Sequence, residues 1–211
     1  MPEINKYDTQ IKNAHKDIFD FFGFRLENIK ITVAENRIEY EKLLARKTAD
    51  WEIGHTNSDK KTILLLDPER WIKDAPTHKP EEFPFLIKHE LTHVYTDHLA
   101  DGKALPMWLV EGLAGVISEQ HKNAKVKYFE TNFCSKLDTL NNWKQQANFG
   151  AYPTASLFVR YIINKYGFTV VEQLIKLAPA NYSYYRFNKI VANIFKKNII
   201  EIEQEFLDAL Q

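Results

Sequence analysis

Residues 89 to 93 read His-Glu-Leu-Thr-His, a segment whose residue types and spacing suit metal chemistry. Positions four apart on a helix lie on one face, so His89 and His93 can offer imidazole nitrogens to one metal ion. Glu90 lies one residue round the helix, where its carboxylate can act as a general base toward a metal-bound water. A random shuffle of this composition would contain the pattern in roughly two chains in a hundred, so its surroundings must be weighed.

The helix around this segment is predicted to have an apolar back. Ile87, Leu91 and Val94 fall opposite the two histidines on a helical wheel. Polar side chains held between packed walls need a partner, and a metal ion would supply one. The alternative is a surface helix whose histidines lie in solvent beside charged neighbours.

A third ligand is predicted at Glu111, in the next helical segment, because catalytic zinc usually has three protein ligands and one open position. Small residues surround it on the wheel, and we expect them to let this helix approach the histidine helix closely. They are Gly112, Ala114, Gly115 and Ser118, while Leu109, Leu113, Val116 and Ile117 point the other way. Alternatively, Glu111 is a solvated carboxylate that the helix dipole favours near a helix start.

The chain has His-Glu-Leu-Thr-His, then seventeen intervening residues, then Glu111 inside the segment Trp-Leu-Val-Glu-Gly-Leu-Ala. This pattern resembles the gluzincins, metallopeptidases whose zinc ion is bound by two histidines and a downstream glutamate. The chain looks most like their small minimal-domain branch. The resemblance implies that His89, His93 and Glu111 bind zinc and that Glu90 deprotonates the zinc-bound water. It also implies that Tyr152 stabilises the tetrahedral oxyanion, although Tyr152 can equally be an aromatic residue of the helical core.

The resemblance also implies an edge strand that pairs with an extended peptide substrate, and segment 51–57 with Gly54 is the better candidate for it. One departure is that Gly115 stands where several gluzincins have an acid that orients a zinc-bound imidazole. Asp97 is a possible substitute for that acid or a solvated residue near a helix end. His98 is expected on the apolar back of its helix, as a core or boundary histidine.

The elements that would position these residues are predicted as a small sheet with helices, followed by a helical lobe. A strand is predicted at 28–34, with a helix pattern before it and another after it. Two further strands are expected at 51–57 and 62–66, as a hairpin or an adjacent pair. Only helices and loops are predicted after them. The predicted helices are 4–22, 37–46, 84–100, 106–121, 151–166, 168–178, 182–196 and 199–210. Segment 122–149 is too weakly periodic to assign.

These elements predict an α+β, zincin-like fold, with a small N-terminal sheet and the active-site helix packed against a C-terminal helical lobe. We expect residues 1–211 to form a single zincin-like catalytic domain, with a sheet and active-site lobe over 1–100 and a helical lobe over 101–211. No internal repeat or Gly/Ser linker divides the sequence.

The composition excludes several classes of partner. Lys plus Arg and Asp plus Glu both number 28, so no net field would draw the chain to nucleic acid or to an anionic membrane. A lone cysteine, Cys134, excludes an internal disulfide and a clustered-cysteine zinc site. The sequence shows neither a secretory h-region nor an apolar stretch of membrane-span length, so a cytoplasmic protein is expected.

The function predicted from these residues is hydrolysis of peptide bonds in a peptide or protein substrate by a zinc-dependent metallopeptidase. Three alternatives remain: a catalytically inactive zincin-fold binding or regulatory protein, a zinc hydrolase of non-peptide amides or esters, and a structural zinc site with a fourth protein ligand. Substrate identity, endo or exo cleavage and oligomeric state do not follow from the sequence.

Overall fold

The computed structural model describes residues 6–126, 130–146 and 149–210. The chain divides into two compact units, Met1–Tyr95 and Thr96–Gln211. Helices and a small three-stranded sheet form the regular structure of the described residues, which confirms the α+β class; the zincin-like topology remains a prediction. Among the described helices, none combines the length and hydropathy of a membrane span.

The first unit contains the sheet and most of the histidine helix. Its elements are α1 (Asp8–Phe22), β1 (Lys30–Ala34), α2 (Arg37–Leu44), β2 (Gly54–Asn57), β3 (Thr62–Leu66), the short α3 (Trp71–Asp74) and α4 (Phe83–Ala100). α1 ends where the sequence predicts, because Gly23 takes a left-handed conformation and its N–H donates to Phe19 O at 2.8 Å. The start of the predicted helix, at residues 4 and 5, lies outside the described residues.

The sheet has the order β1-β3-β2, with β1 parallel and β2 antiparallel to the central strand β3. The predicted pairing of the second and third strands is therefore confirmed, although β2 begins three residues later than expected, at Gly54. Ile63 and Leu65 of β3 are buried, as expected for a central strand. β2 is an outer strand of this sheet.

Aromatic side chains fill the core of the first unit. Trp71 and Phe83 are fully buried with ring centroids 6.0 Å apart, and Tyr95 packs on Phe22 at 5.1 Å. The hydroxyl of Tyr95 accepts a hydrogen bond from the backbone N–H of Leu26 at 3.1 Å. This bond satisfies a buried polar group and ties α4 to the chain that follows α1.

The second unit is helical throughout its regular structure. Its elements are α5 (Met107–Ile117), α6 (Phe133–Lys136), α7 (Leu140–Gln146), α8 (Ala151–Tyr166), α9 (Phe168–Lys176), α10 (Tyr184–Phe195) and α11 (Ile199–Asp208). α5 and α8 form its most extensive helix pair, and the rings of Trp108, Phe133, Phe158 and Phe206 pack in its core. Segment 122–149, which the sequence left unassigned, contains the two short helices α6 and α7.

Candidate metal centre

The two histidines of the motif lie on one face of α4, as the spacing predicts. Their ring centroids are 4.8 Å apart and their planes are nearly perpendicular. His89 is 7% exposed and His93 is half-buried. The predicted apolar back is confirmed by Ile87, Leu91 and Val94, which are all buried, so the helix is fixed by its back while its histidine face holds polar groups.

Glu90 is 7% exposed, and its carboxylate lies against the outer strand β2. The hydroxyl of Thr56 is 2.6 Å from Glu90 Oε2 and 3.1 Å from the backbone oxygen of the same residue. A Cβ atom built on Gly54 would lie 2.5 Å from Glu90 Oε1, so glycine leaves the space that the carboxylate occupies. The strand that follows α2 therefore positions the residue predicted as general base.

Tyr40 lies behind this carboxylate in the core of the first unit. Its side chain is fully buried. Burial raises the pKa of the Tyr40 phenol well above its usual range, and the negative charges of Glu90 and Glu52 raise it further. Tyr40 therefore stays neutral at physiological pH and adds no competing charge beside Glu90.

Glu111 lies in the first half of α5 and is half-buried, with Leu109 and Leu113 buried on the same helix. His89, His93 and Glu111 each offer one ligand atom, and these three atoms lie within 4.8 Å of one another. Within the described ranges, no other set of three or more His, Cys, Asp or Glu side chains meets this condition. These three residues can therefore hold a metal ion.

The donor set fits a divalent cation such as zinc. Two imidazole nitrogens and a carboxylate oxygen are common zinc ligands, and bonds of about 2.0–2.1 Å place tetrahedral donors about 3.3 Å apart. The three donor atoms lie within 4.8 Å of one another, a limit that includes this spacing. Iron(II) also binds two histidines and a carboxylate, so the donors alone do not decide which metal is present.

The small residues beside Glu111 have a different role from the one expected. A Cβ atom on Gly112 would lie 2.6 Å from the backbone oxygen of Ala155 in α8, and one on Gly115 would lie 2.9 Å from Ser156 Oγ. These glycines therefore allow α8 to approach α5 closely, whereas the sequence suggested that they serve the histidine helix. Small residues indicate a close approach without specifying the partner helix.

His121 is a residue that sequence reasoning missed. Its Cδ2 atom would lie 3.3 Å from a Cβ on Gly115, the position where several gluzincins have an acid. Gly115 is one helical turn beyond Glu111, so the imidazole lies over the same face of α5. The sequence places His121 at the end of the predicted helix 106–121, whereas α5 ends at Ile117 and His121 lies in the turn that follows.

Tyr152 lies in the first turn of α8 and is half-buried. Its ring centroid is 4.9 Å from that of Trp143 and 6.2 Å from that of His121. The aromatic contact agrees with a packing role, and the neighbouring imidazole agrees with a polar one. Its assignment as oxyanion stabiliser therefore stays a prediction.

Two weaker predictions concern the end of α4. His98 is exposed, so the expectation of a core or boundary position is wrong. In the last turn of the helix Ala100 is buried while His98 is exposed, and the chain reverses just beyond, at Asp101 and Gly102 in left-handed conformations. Asp97 is half-buried, and its backbone oxygen accepts a hydrogen bond from Gly102 N–H at 3.3 Å.

Comparison of the chain with known protein families, curated proteins and solved structures finds no match. The resemblance to the gluzincins therefore depends on the two short motifs and on the residues that they supply to the metal centre.

Proposed function

We propose that this protein is a zinc-dependent metallopeptidase that hydrolyses peptide bonds. The observation that carries the proposal is the convergence of ligand atoms from His89, His93 and Glu111, with a carboxylate at the position directly after the first ligand. Metal, base and an open coordination position are the minimum that hydrolysis of an amide by activated water requires.

His89, His93 and Glu111 would hold the metal. A zinc ion bound there supplies Lewis acidity, which polarises a carbonyl group and acidifies water. Glu90 accepts a proton from the attacking water and later donates it to the leaving amine. The low exposure of Glu90 keeps its carboxylate partly shielded from bulk solvent, which strengthens its interactions with charged and polar groups nearby.

Features of both units support a peptide substrate. β2 is an outer strand, and an extended peptide can add to such an edge through backbone hydrogen bonds. Tyr152 is the residue we assign to the oxyanion, since a phenol donor gains strength as negative charge develops on the carbonyl oxygen. Both assignments follow the gluzincin resemblance.

The rival functions are less well supported. A structural zinc site would have a fourth protein ligand, and the described part of the chain brings three His, Cys, Asp or Glu side chains together at this site. An inactive binding protein would have no need of a carboxylate at position 90, yet Glu90 is present and held by β2. A hydrolase of non-peptide amides or esters would use the same centre, so substrate assays must separate it.

Metal analysis of the purified protein tests the centre directly. The wild type should contain about one equivalent of zinc, and His93→Ala should lose most of it because two of three ligands remain. His98→Ala is the matched control, since His98 is exposed on the same helix. Retention of zinc in His93→Ala, or one equivalent of iron in place of zinc, would contradict the proposal.

Hydrolysis assays on an unstructured protein and on small acyl esters then test the reaction. Glu90→Gln should keep its zinc and lose roughly 100-fold or more of the activity, because the amide cannot accept the proton. Equal hydrolysis by wild type and Glu90→Gln would defeat the enzyme assignment. Activity confined to the small esters would favour the non-peptide hydrolase.

A further inference from the structure

We propose that β2 sets the orientation of the general base, Glu90. Thr56 is a positioning residue for its carboxylate, and Gly54 leaves the space that the carboxylate fills. This inference rests on the proposed function, because it assigns a role toward Glu90 as base. Neither residue belongs to the two motifs that indicate the metal centre, and both lie more than thirty positions before Glu90 in the chain.

The hydrogen bond from Thr56 is directed at the carboxylate. A hydroxyl has a single proton, and Thr56 Oγ1 lies 2.6 Å from Glu90 Oε2 but 3.1 Å from the backbone oxygen of Glu90. An ionised acceptor makes the shorter and stronger hydrogen bond, so the carboxylate is the main acceptor. Thr56 is β-branched and lies in a strand, which restricts its side-chain rotation and keeps the hydroxyl aimed at Glu90.

Gly54 lies beside the other oxygen of the same carboxylate, Oε1. Residues two apart in a strand share a face, so Gly54 and Thr56 both face Glu90, whereas the side chain of His55 lies on the opposite face. A Cβ atom at position 54 would lie 2.5 Å from Glu90 Oε1 and 2.9 Å from its Cδ. Any larger residue would therefore push the carboxylate out of its place.

As a result, the two oxygens of the Glu90 carboxylate differ in their hydrogen bonding. Oε2 accepts a hydrogen bond from the Thr56 hydroxyl, while Oε1 accepts none from the described residues and keeps more of its lone-pair capacity for a proton. A base held in one orientation before the substrate arrives loses less freedom in the reaction. The strand thus contributes to the rate of the chemical step rather than to metal binding.

Thr56→Val removes the hydroxyl while keeping the shape of the side chain. We expect kcat to fall roughly tenfold or more with KM within about twofold, because the lost contact acts in the chemical step. Zinc content should stay at the wild-type level. Thr56→Ser restores the hydroxyl and should recover kcat to within about threefold of the wild type.

Two further variants complete the set. Gly54→Ala should also lower kcat without loss of zinc, since its Cβ would occupy the place of Oε1. Thr62→Val is the matched control, because Thr62 begins the neighbouring strand β3 and is not part of the site. It should retain the wild-type kcat. If Thr56→Val does not fold, Thr56→Ala serves as the variant without the hydroxyl.

The outcomes separate this inference from the proposed function. A zinc-loaded wild type that hydrolyses no peptide refutes the proposed function before any strand variant is measured, and the positioning role fails with it. An active wild type with an equally active Thr56→Val overturns the positioning role alone. A loss in Thr56→Val that Thr56→Ser does not restore, or that accompanies loss of zinc, also overturns it, because the role is then structural.

Discussion

Two glutamates, Glu90 in the first unit and Glu203 in the second, show how different surroundings give one residue type different roles. Both are on helices and shielded from solvent, with exposures of 7% and 0%. Glu203 on α11 accepts a hydrogen bond from Cys134 N–H at 2.7 Å through Oε1 and one from Asn132 N–H through Oε2. Glu90 receives one hydroxyl, on Oε2.

The difference separates a structural carboxylate from one that can do chemistry. Both oxygens of Glu203 accept backbone N–H groups at the start of α6, and the N–H of Cys134 would otherwise be buried without a partner. Burial raises the pKa of Glu203, against the hydrogen bonds from Cys134 and Asn132, which lower it. Glu90 keeps an oxygen that no described hydrogen bond engages, which is what a proton acceptor requires.

Replacing Glu203 should therefore cause the largest loss of stability. Glu203→Ala leaves the buried N–H of Cys134 unpaired, removes the acceptor of the Asn132 N–H and creates a cavity, and we expect it to lower the free energy of unfolding by about 3 kcal/mol. Urea denaturation of the purified protein measures this. Gln204→Ala, at the exposed neighbouring position of α11, is the control and should change stability by less than about 0.5 kcal/mol. A loss of less than about 1 kcal/mol for Glu203→Ala would show that the carboxylate is not structural.

Two glycines extend the comparison from side chains to backbone. Gly54 gives space to the flexible end of Glu90, whereas Gly112 gives space to the backbone oxygen of Ala155, which cannot move aside alone. We expect Gly112→Ala to lower the free energy of unfolding by about 2 kcal/mol, because overpacking outweighs the higher helix propensity of alanine. Gly54→Ala should cost less in stability while it costs more in kcat. Equal stability losses in urea denaturation would remove the distinction between the two glycines.

The sequence predicts the local parts of this molecule well. Gly23 ends α1, the apolar back of α4 is buried, and His89 and His93 share a face, because each of these features depends on residues within a few turns of one another. The grouping of Glu111 with the histidines followed from a motif whose two parts are only seventeen residues apart.

The parts that the sequence could not predict depend on long-range packing. Thr56 and Glu90 are 34 residues apart, and no periodicity relates a strand residue to the helix residue it contacts. Gly112 and Gly115 indicate a close helix contact, but their partner is α8 rather than α4, since glycine spacing does not identify the opposing helix. His98 matches the apolar back of α4 by helical spacing, yet it is exposed while Ala100 in the same turn is buried, so spacing alone does not give the burial of the last turn.

Glu205 lies on the same helix as Glu203, but its pKa is lowered whereas that of Glu203 is raised. Its replacement is the change for which we predict the smallest effect. Lys165, Lys197 and the hydroxyl of Tyr166 donate hydrogen bonds to it and lower its pKa from 4.5 to about 2. A depressed carboxyl pKa means that the folded state binds fewer protons than the unfolded state in this range. The stabilisation is therefore complete above the unfolded pKa and is lost as the pH falls through about 2.

Glu205→Gln should accordingly destabilise the protein by no more than about 1 kcal/mol at pH 6, since the ion pairs are partly exposed and screened. The penalty should shrink when urea denaturation is repeated near pH 2.5, where much of the stabilisation by the wild-type carboxylate has been lost. About 0.5 M salt should also reduce it at pH 6. A penalty that stays constant with pH would mean that Glu205 contributes through packing, and its contrast with the hydrogen-bonded, buried Glu203 would then have no electrostatic basis.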